Sequence, residues 1–162
     1  MTGQWHRLTS PNNYFEDFQV GDVYEHARGK TVTEMDNVLI TNLVMNTAQG
    51  HFNEDRMAKT PLGRRIVFGG VTLSIVIGLA MQDTGENALA ELGLDKIRFR
   101  APVFHGDTLY AFTEVLEKRE SERPDAGEVV FRHWGVNQEG KVVFEGERRA
   151  LIKRRSHWGP QS

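Results

Sequence analysis

Residues 69–81 read GGVTLSIVIGLAM, from Gly69 to Met81, and this stretch decides the fold. From Val71 onward it is apolar on every face, the mark of a helix buried all round. Its Val and Ile also suit a buried strand. The run is longer than most strands, however, and Asp83-Thr84-Gly85 supplies a stop, so a helix is expected over Val71 to Met81. Working backward, Thr33-Glu34-Met35-Asp36 places a hydroxyl at an N-cap and an acid three residues later, a capping-box start. Met35, Val38, Leu39 and Leu43 follow at helical spacing and predict an amphipathic helix from Glu34 to about Met45, with these residues as its apolar face. Val23 to Lys30 reads as a first strand, and Asn46 to His51 as irregular. Asn53 to Lys59 reads as a short helix stopped by Pro61 and Gly63.

Beyond the buried helix the period changes to two. Ile97 and Phe99 alternate with Lys96, Arg98 and Arg100. Thr108 to Lys118, Glu128 to Val136 and Val142 to Lys153 are further strand-like runs, the last two joined by a hairpin turn over Asn137 to Gly140. Helices early and antiparallel strands late give an α+β fold, with a sheet wrapped around one long buried helix. With no linker and no internal repeat, one domain over residues 14–153 is expected. An N-terminal extension (1–13) and a C-terminal tail (154–162) flank it, expected to lie on the surface or fray.

Composition narrows the chemistry by exclusion. The chain has 162 residues, 39% hydrophobic and 26% charged, which is the profile of a folded domain and excludes wholesale disorder. Twenty basic against 22 acidic residues leave a net charge of −2, so coating nucleic acid is not its main work. The absence of cysteine removes disulfides, a thiol nucleophile and cysteine metal sites together. The first residues lack the apolar stretch of a signal peptide, and Ile66 to Met81 is too short for a membrane span of about 20 residues. The expected compartment is the cytoplasm.

Six histidines are present, at positions 6, 26, 51, 105, 133 and 157, none with a metal-ligand spacing to another. His105 in a turn and His133 in a strand read as structural, and His6 and His157 lie in the tails. His51 follows a helix in a Gly-containing loop, five residues beyond Asn46 and eighteen before Gly69. Spacing alone makes it a surface-loop histidine.

A family resemblance changes that reading. The chain resembles the MaoC-like, (R)-specific enoyl-CoA hydratase family of hotdog-fold proteins. Their signature runs Asp-x-Asn-Pro-(aliphatic)-His, a short helix, then Phe-Gly-x-x-Ile-x-His-Gly and the buried helix. The corresponding residues here are Asn46-Thr-Ala-Gln-Gly-His51 and Leu62-Gly63-Arg-Arg-Ile66-Val-Phe68-Gly69, with the interval from His51 to Gly69 kept without gaps. Asn46 stands where the family has its catalytic Asp, and Ala48, Gln49 and Phe68 replace its Asn, Pro and second His. The flanking segments TVTEMDN, IRFRAPVFHGDTL and RPDAG look most like the mesaconyl-CoA and methylmalyl-CoA hydratase branch.

The resemblance implies a hotdog unit and reversible hydration of a 2-enoyl-CoA, a branched or dicarboxylic one such as mesaconyl-CoA included. That chemistry needs a base for water, an acid for the α-carbon and donors for an enolate-like oxygen. Imidazole is the group whose ordinary pKa suits both proton transfers, which gives His51 the acid/base role. Asn46 can hold a water by donating and accepting hydrogen bonds. The Gly69 and Gly70 N–H groups, at a helix start, suit the thioester oxygen. The competing role for these glycines is close packing. Asn53, Glu54 and Asp55, near His51 in sequence, read as a solvated helix start. Arg64, Arg65, Lys96, Arg98, Arg100, Arg148, Arg149 and Lys153 to Arg155 are candidates for contacts to coenzyme A phosphates. No metal or bound redox cofactor is implied. A homodimer or higher assembly is, with acyl-CoA as the small-molecule partner. Two alternatives stand beside this reading. One is a non-catalytic acyl-thioester binder or partner subunit, suggested by Asn46, Ala48 and Gln49. The other is a thioesterase, disfavoured because Val71 to Met81 holds no acid.

Overall fold

The computed structural model describes residues 5–6 and 13–160. Its strands are β1 (Trp5–His6), β2 (Val23–Thr31), β3 (Ala88–Phe99), β4 (Thr108–Glu120), β5 (Ala126–Val136) and β6 (Val142–Lys153). They form one sheet in the order β1-β2-β4-β5-β6-β3. β1 runs parallel to β2, and every other neighbouring pair is antiparallel. The helices are α1 (Glu34–Leu43), α2 (Gln49–Phe52), α3 (Glu54–Ala58), α4 (Gly69–Thr84) and α5 (Arg155–Trp158). This is the α+β layout read from the sequence, with α4 lying across β2, β4, β5 and β6.

Val71 and Val76 of α4 share one core cluster with Leu109 and Ala111 of β4 and Val143 and Phe144 of β6. A second cluster gathers Phe15, Phe18, Tyr24, Val115, Phe131 and Ile152 toward the N-terminal segment. Helix α4 begins two residues before the expected start and runs three past the expected end. It is not buried all round. Ser74 and Gly78 are exposed, and Leu73, Ile75, Ile77 and Leu79 are half-buried. A single sheet can cover only one side of a helix, so the opposite stripe of this apolar sequence is left for something else.

Helix α1 opens on the expected capping box: the Asp36 N–H donates to Thr33 Oγ1 (3.2 Å) and the Thr33 N–H to Asp36 Oδ2 (2.7 Å). Lys30 Nζ reaches the same carboxylate at 2.8 Å, and these bonds hold Asp36 down to about 2. The amphipathic reading of α1 is inverted in the chain. Met35, Leu39 and Leu43 are 69%, 59% and 75% exposed, while Asn37 and Thr41 are buried. The inward side of α1 faces a loop and a helix start, whose backbone groups need polar partners, and no other described part of the chain covers its apolar side.

Three smaller differences share one cause, contacts with distant parts of the chain. The stretch Asn46 to His51, expected to be irregular, ends in the helical turn α2. Strand β3 begins at Ala88, well before the visible alternation, because pairing with β6 extends it; the register shifts at three places and Lys96 takes φ 51°. The C-terminal tail through Pro160 lies on the surface, as expected, but is docked rather than frayed. The Arg155 N–H donates to Glu16 Oε2 (2.9 Å) and Trp158 Nε1 to Asp125 Oδ2 (3.2 Å). Most of the N-terminal extension, residues 1–4 and 7–12, lies outside the described residues.

Candidate functional site

The site forms where three segments meet at the start of α4. Asn46 ends the loop after α1, and its Oδ1 accepts from the Ala48 N–H at 3.2 Å. Ala48 is the N-cap of α2, and its carbonyl accepts from the His51 N–H at 2.9 Å. Asn46 thereby shapes the turn that presents His51. A second asparagine closes the loop from inside. Asn37, fully buried on α1, accepts from the Phe68 N–H with Oδ1 (2.9 Å) and donates through Nδ2 to the His51 carbonyl (3.4 Å). One carboxamide so ties the histidine loop to the residue that caps α4.

The His51 ring is half-buried. Its Nδ1 lies 2.9 Å from the Ile66 carbonyl, and a carbonyl only accepts, so Nδ1 carries the proton. The lone pair of the neutral ring is then on Nε2. The ring packs at a tilt against Phe68, centroids 5.6 Å apart.

His51 lines a cavity of about 720 Å³ together with Gly69, Gly70 and a mostly apolar wall that includes Ile66, Leu73, Ile97, Phe99 and Val103. The first intrahelical acceptor of α4 is the Phe68 carbonyl, bonded by Val71 N (2.9 Å) and Thr72 N (3.3 Å). The Gly69 and Gly70 N–H groups precede those bonds, at the positive end of the helix dipole. Glycine lets aromatic rings approach the backbone closely at both places. A Cβ on Gly69 would stand 2.9 Å from Phe99 Cζ, and one on Gly70 would stand 2.4 Å from Phe68 Cε1.

The structure thus brings His51, Gly69 and Gly70 to one cavity. Asn46, half-buried in its turn, lines neither this cavity nor a second one beside His51. Asn53, Glu54 and Asp55 form a helix start: Asn53 caps α3 through Arg56 N (2.9 Å), Glu54 meets Arg65 (2.6 Å) and Asp55 meets Lys59 (2.7 Å). Arg65 also pairs with Glu34, and it holds both glutamates below the usual carboxylate range. Of the basic candidates, Arg100 lines the cavity, beside its partner Glu145. Arg148 is buried and bidentate on Glu91 (2.7 Å each). Sequence reasoning missed Asn37; the TVTEMDN segment held it, with nothing local to show that it turns inward.

His26, His105, His133 and His157 lie away from this cavity. At the far end of α4, Asp83 Oδ2 accepts from His26 Nδ1 (2.6 Å), His26 Nε2 meets Thr113 Oγ1 (2.7 Å), and the same hydroxyl meets His133 Nδ1 (2.7 Å). Burial, then the charges of Arg148 and His26, push His133 well below the ordinary histidine value. His105, half-buried, is lowered by burial and by Arg65. His157 bonds Ser156 (2.9 Å). Among the described residues, no three His, Asp or Glu side chains gather as metal ligands, and no helix is long and apolar enough to cross a membrane.

Comparison with known proteins addresses the family and the fold. A family model described as mesaconyl-CoA hydratase matches residues 7–154. A mesaconyl-CoA hydratase of Haloarcula marismortui is 36% identical over 161 residues, covering 91% of this chain and 44% of that relative. The chain therefore spans less than half the length of that relative. An (R)-specific enoyl-CoA hydratase of Rhodospirillum rubrum is 32% identical, over 88% of this chain and 94% of its own length. Among solved structures, a Mycobacterium tuberculosis protein with a double hotdog fold superposes with a TM-score of 0.81 at 24% identity, covering 93% of this chain and 47% of that one. The fold is the hotdog fold.

Proposed function

This chain belongs to the mesaconyl-CoA hydratase family, and on that premise we propose that it is an acyl-CoA hydro-lyase, adding water reversibly to the double bond of a 2-enoyl thioester. One observation carries the reading: His51, its Nδ1 engaged by the Ile66 carbonyl, shares a cavity with the N-terminal amides of α4. In this reading Nε2 takes a proton from water while the water oxygen bonds to C3. The π electrons of the C2–C3 bond shift onto the thioester oxygen, which the Gly69 and Gly70 N–H groups hold. The proton on Nε2 then passes to C2 from the same face, and the ring returns to its starting state. Asn46 serves as a positioning residue, acting through the turn that carries His51.

The lining of the cavity supports a small aliphatic acyl group. A dicarboxylic acyl group such as mesaconyl needs a cationic partner, and Arg100 is the cationic side chain in the lining. A homodimer completes the site in this reading. Phe99 is 54% exposed while lining the cavity, on the open edge strand β3 beside the exposed Leu92 and Leu94. The uncovered face of α1 adds Met35, Leu39 and Leu43. In the double-hotdog structure this chain matches 47% of the other chain, and a second hotdog unit would cover the same surfaces here. The compartment is the cytoplasm, where CoA thioesters are made and used.

Loss of enoyl absorbance from crotonyl-CoA and from mesaconyl-CoA tests the proposal. Turnover of either supports it. Tight CoA-thioester binding without turnover of either instead identifies a non-catalytic acyl-thioester binder, which Asn46, Ala48 and Gln49 at signature positions favour. Release of free CoA identifies a thioesterase.

A further inference from the structure

His51 also stands in the wall of a second, smaller cavity of about 210 Å³, lined by Val38, Thr41, Asn42, His51, Phe52 and Arg65. It is the one residue the two cavities share. Their chemistry differs. The larger wall is aliphatic and aromatic, with His51, Thr72 and Arg100 as its polar or charged side chains. The smaller wall brings a hydroxyl, a carboxamide and a guanidinium to a much smaller space.

That polar set suits a neutral occupant. Arg65 is bridged by Glu34 and Glu54, so its charge is already matched and an anion gains little there. Thr41 Oγ1 is engaged by the Asn37 carbonyl (2.7 Å) and the Val38 carbonyl (3.1 Å). Asn42 donates through Nδ2 to the Val38 carbonyl (2.7 Å), and its Oδ1 has no partner among the described residues. An ordered water needs two to four polar partners and about 30 Å³ of space, and the smaller cavity has room for a few such molecules. An apolar acyl chamber holds water poorly, yet hydration needs one water placed against the base.

We infer that the Thr41–Asn42–Arg65 cavity is the water side of the reaction, holding the water molecule against His51 while the enoyl group occupies the larger cavity. The inference rests on the hydro-lyase reading. Water enters from the α1 side in hydration and leaves by the same side in dehydration. Asn42 is a positioning residue, presenting Oδ1 to the water and touching no part of the acyl group.

Two measurements decide it. In Asn42→Leu, an apolar side chain of similar size replaces the carboxamide at an exposed position. The expected result is a fall of about tenfold in kcat on an enoyl-CoA with KM unchanged, and Asn42→Ser restores most of it. Wild-type kcat in a folded Asn42→Leu protein overturns the inference. An atomic-resolution crystal structure is expected to show an ordered water bonded to His51 on the Asn42 side, and a dry cavity overturns the inference whatever the kinetics. The parent reading fails differently: wild-type protein inactive on both crotonyl-CoA and mesaconyl-CoA ends the hydro-lyase proposal, and the catalytic meaning of the water site with it.

Discussion

The two ends of helix α4, about 24 Å apart, treat polar groups in opposite ways. At the C-terminal end Asp83 meets His26 at 2.6 Å, and Arg148 donates to the Thr84 carbonyl at 3.4 Å, where a cation favours the negative end of the helix dipole. The chain Asp83–His26–Thr113–His133 lies inside the core and is bonded link to link, with Asp83 Oδ1 and His133 Nε2 as its atoms without a partner among the described residues. At the N-terminal end the Gly69 and Gly70 N–H groups border a cavity, and His51 has one nitrogen engaged and the other without a partner among the described residues. One helix is thus anchored where its polar groups are paired and open where they are not. A residue at the paired end should change stability, and one at the open end should change turnover.

The largest effect that separates the two ends is expected from His51→Ala. On the proposed hydro-lyase reading, turnover of an enoyl-CoA is expected to fall by about a thousandfold, while the midpoint of thermal unfolding moves little because the ring is half-buried. An equal loss of stability would erase the contrast. Next comes His26→Ala, which leaves the Asp83 carboxylate buried without its partner. A loss of about 3 kcal/mol in denaturant unfolding is expected.

Acidification acts on the same end. His133 is held below the ordinary histidine value of about 6.5 by burial, Arg148 and His26, so near neutral pH and below the unfolded chain binds a proton that the folded chain does not. Its contribution to stability is whole above about pH 6.5 and falls as pH drops through that value toward the lowered folded one. Denaturant titrations at about pH 7 and pH 5.5 should differ by about 1 kcal/mol from this group, and His133→Gln should flatten the slope. The smallest effect is expected from Asn46→Asp. The carboxylate keeps the acceptor for the Ala48 N–H, and Asn46 lines neither cavity, so turnover changes by less than about threefold. A larger change would move residue 46 into direct contact with the water or the substrate.

The features legible in the sequence are those written in neighbouring residues. The Thr33–Asp36 capping box, the Asn137–Gly140 hairpin and the stop after α4 depend on side chains within four positions of each other. Part of the site was legible for the same reason: the family signature holds His51 and Gly69 at a set interval. Asn37 was hidden, because its partners are 14 and 31 residues away, and so was the His26–Asp83 pair, 57 residues apart. The spacing of Met35, Leu39 and Leu43 revealed an apolar face on α1 and was silent on what it meets.

By itself, then, the sequence determined an α+β layout around one long apolar helix, because local propensity and period are properties of adjacent residues; the family resemblance added the hotdog unit and His51 as the candidate for proton transfer. The tertiary structure alone decided which His51 nitrogen is engaged, that two cavities share this residue, and which side of α1 and α4 the described residues leave uncovered. Those facts depend on carbonyls and side chains brought together from distant parts of the chain, and only the folded backbone sets their distances.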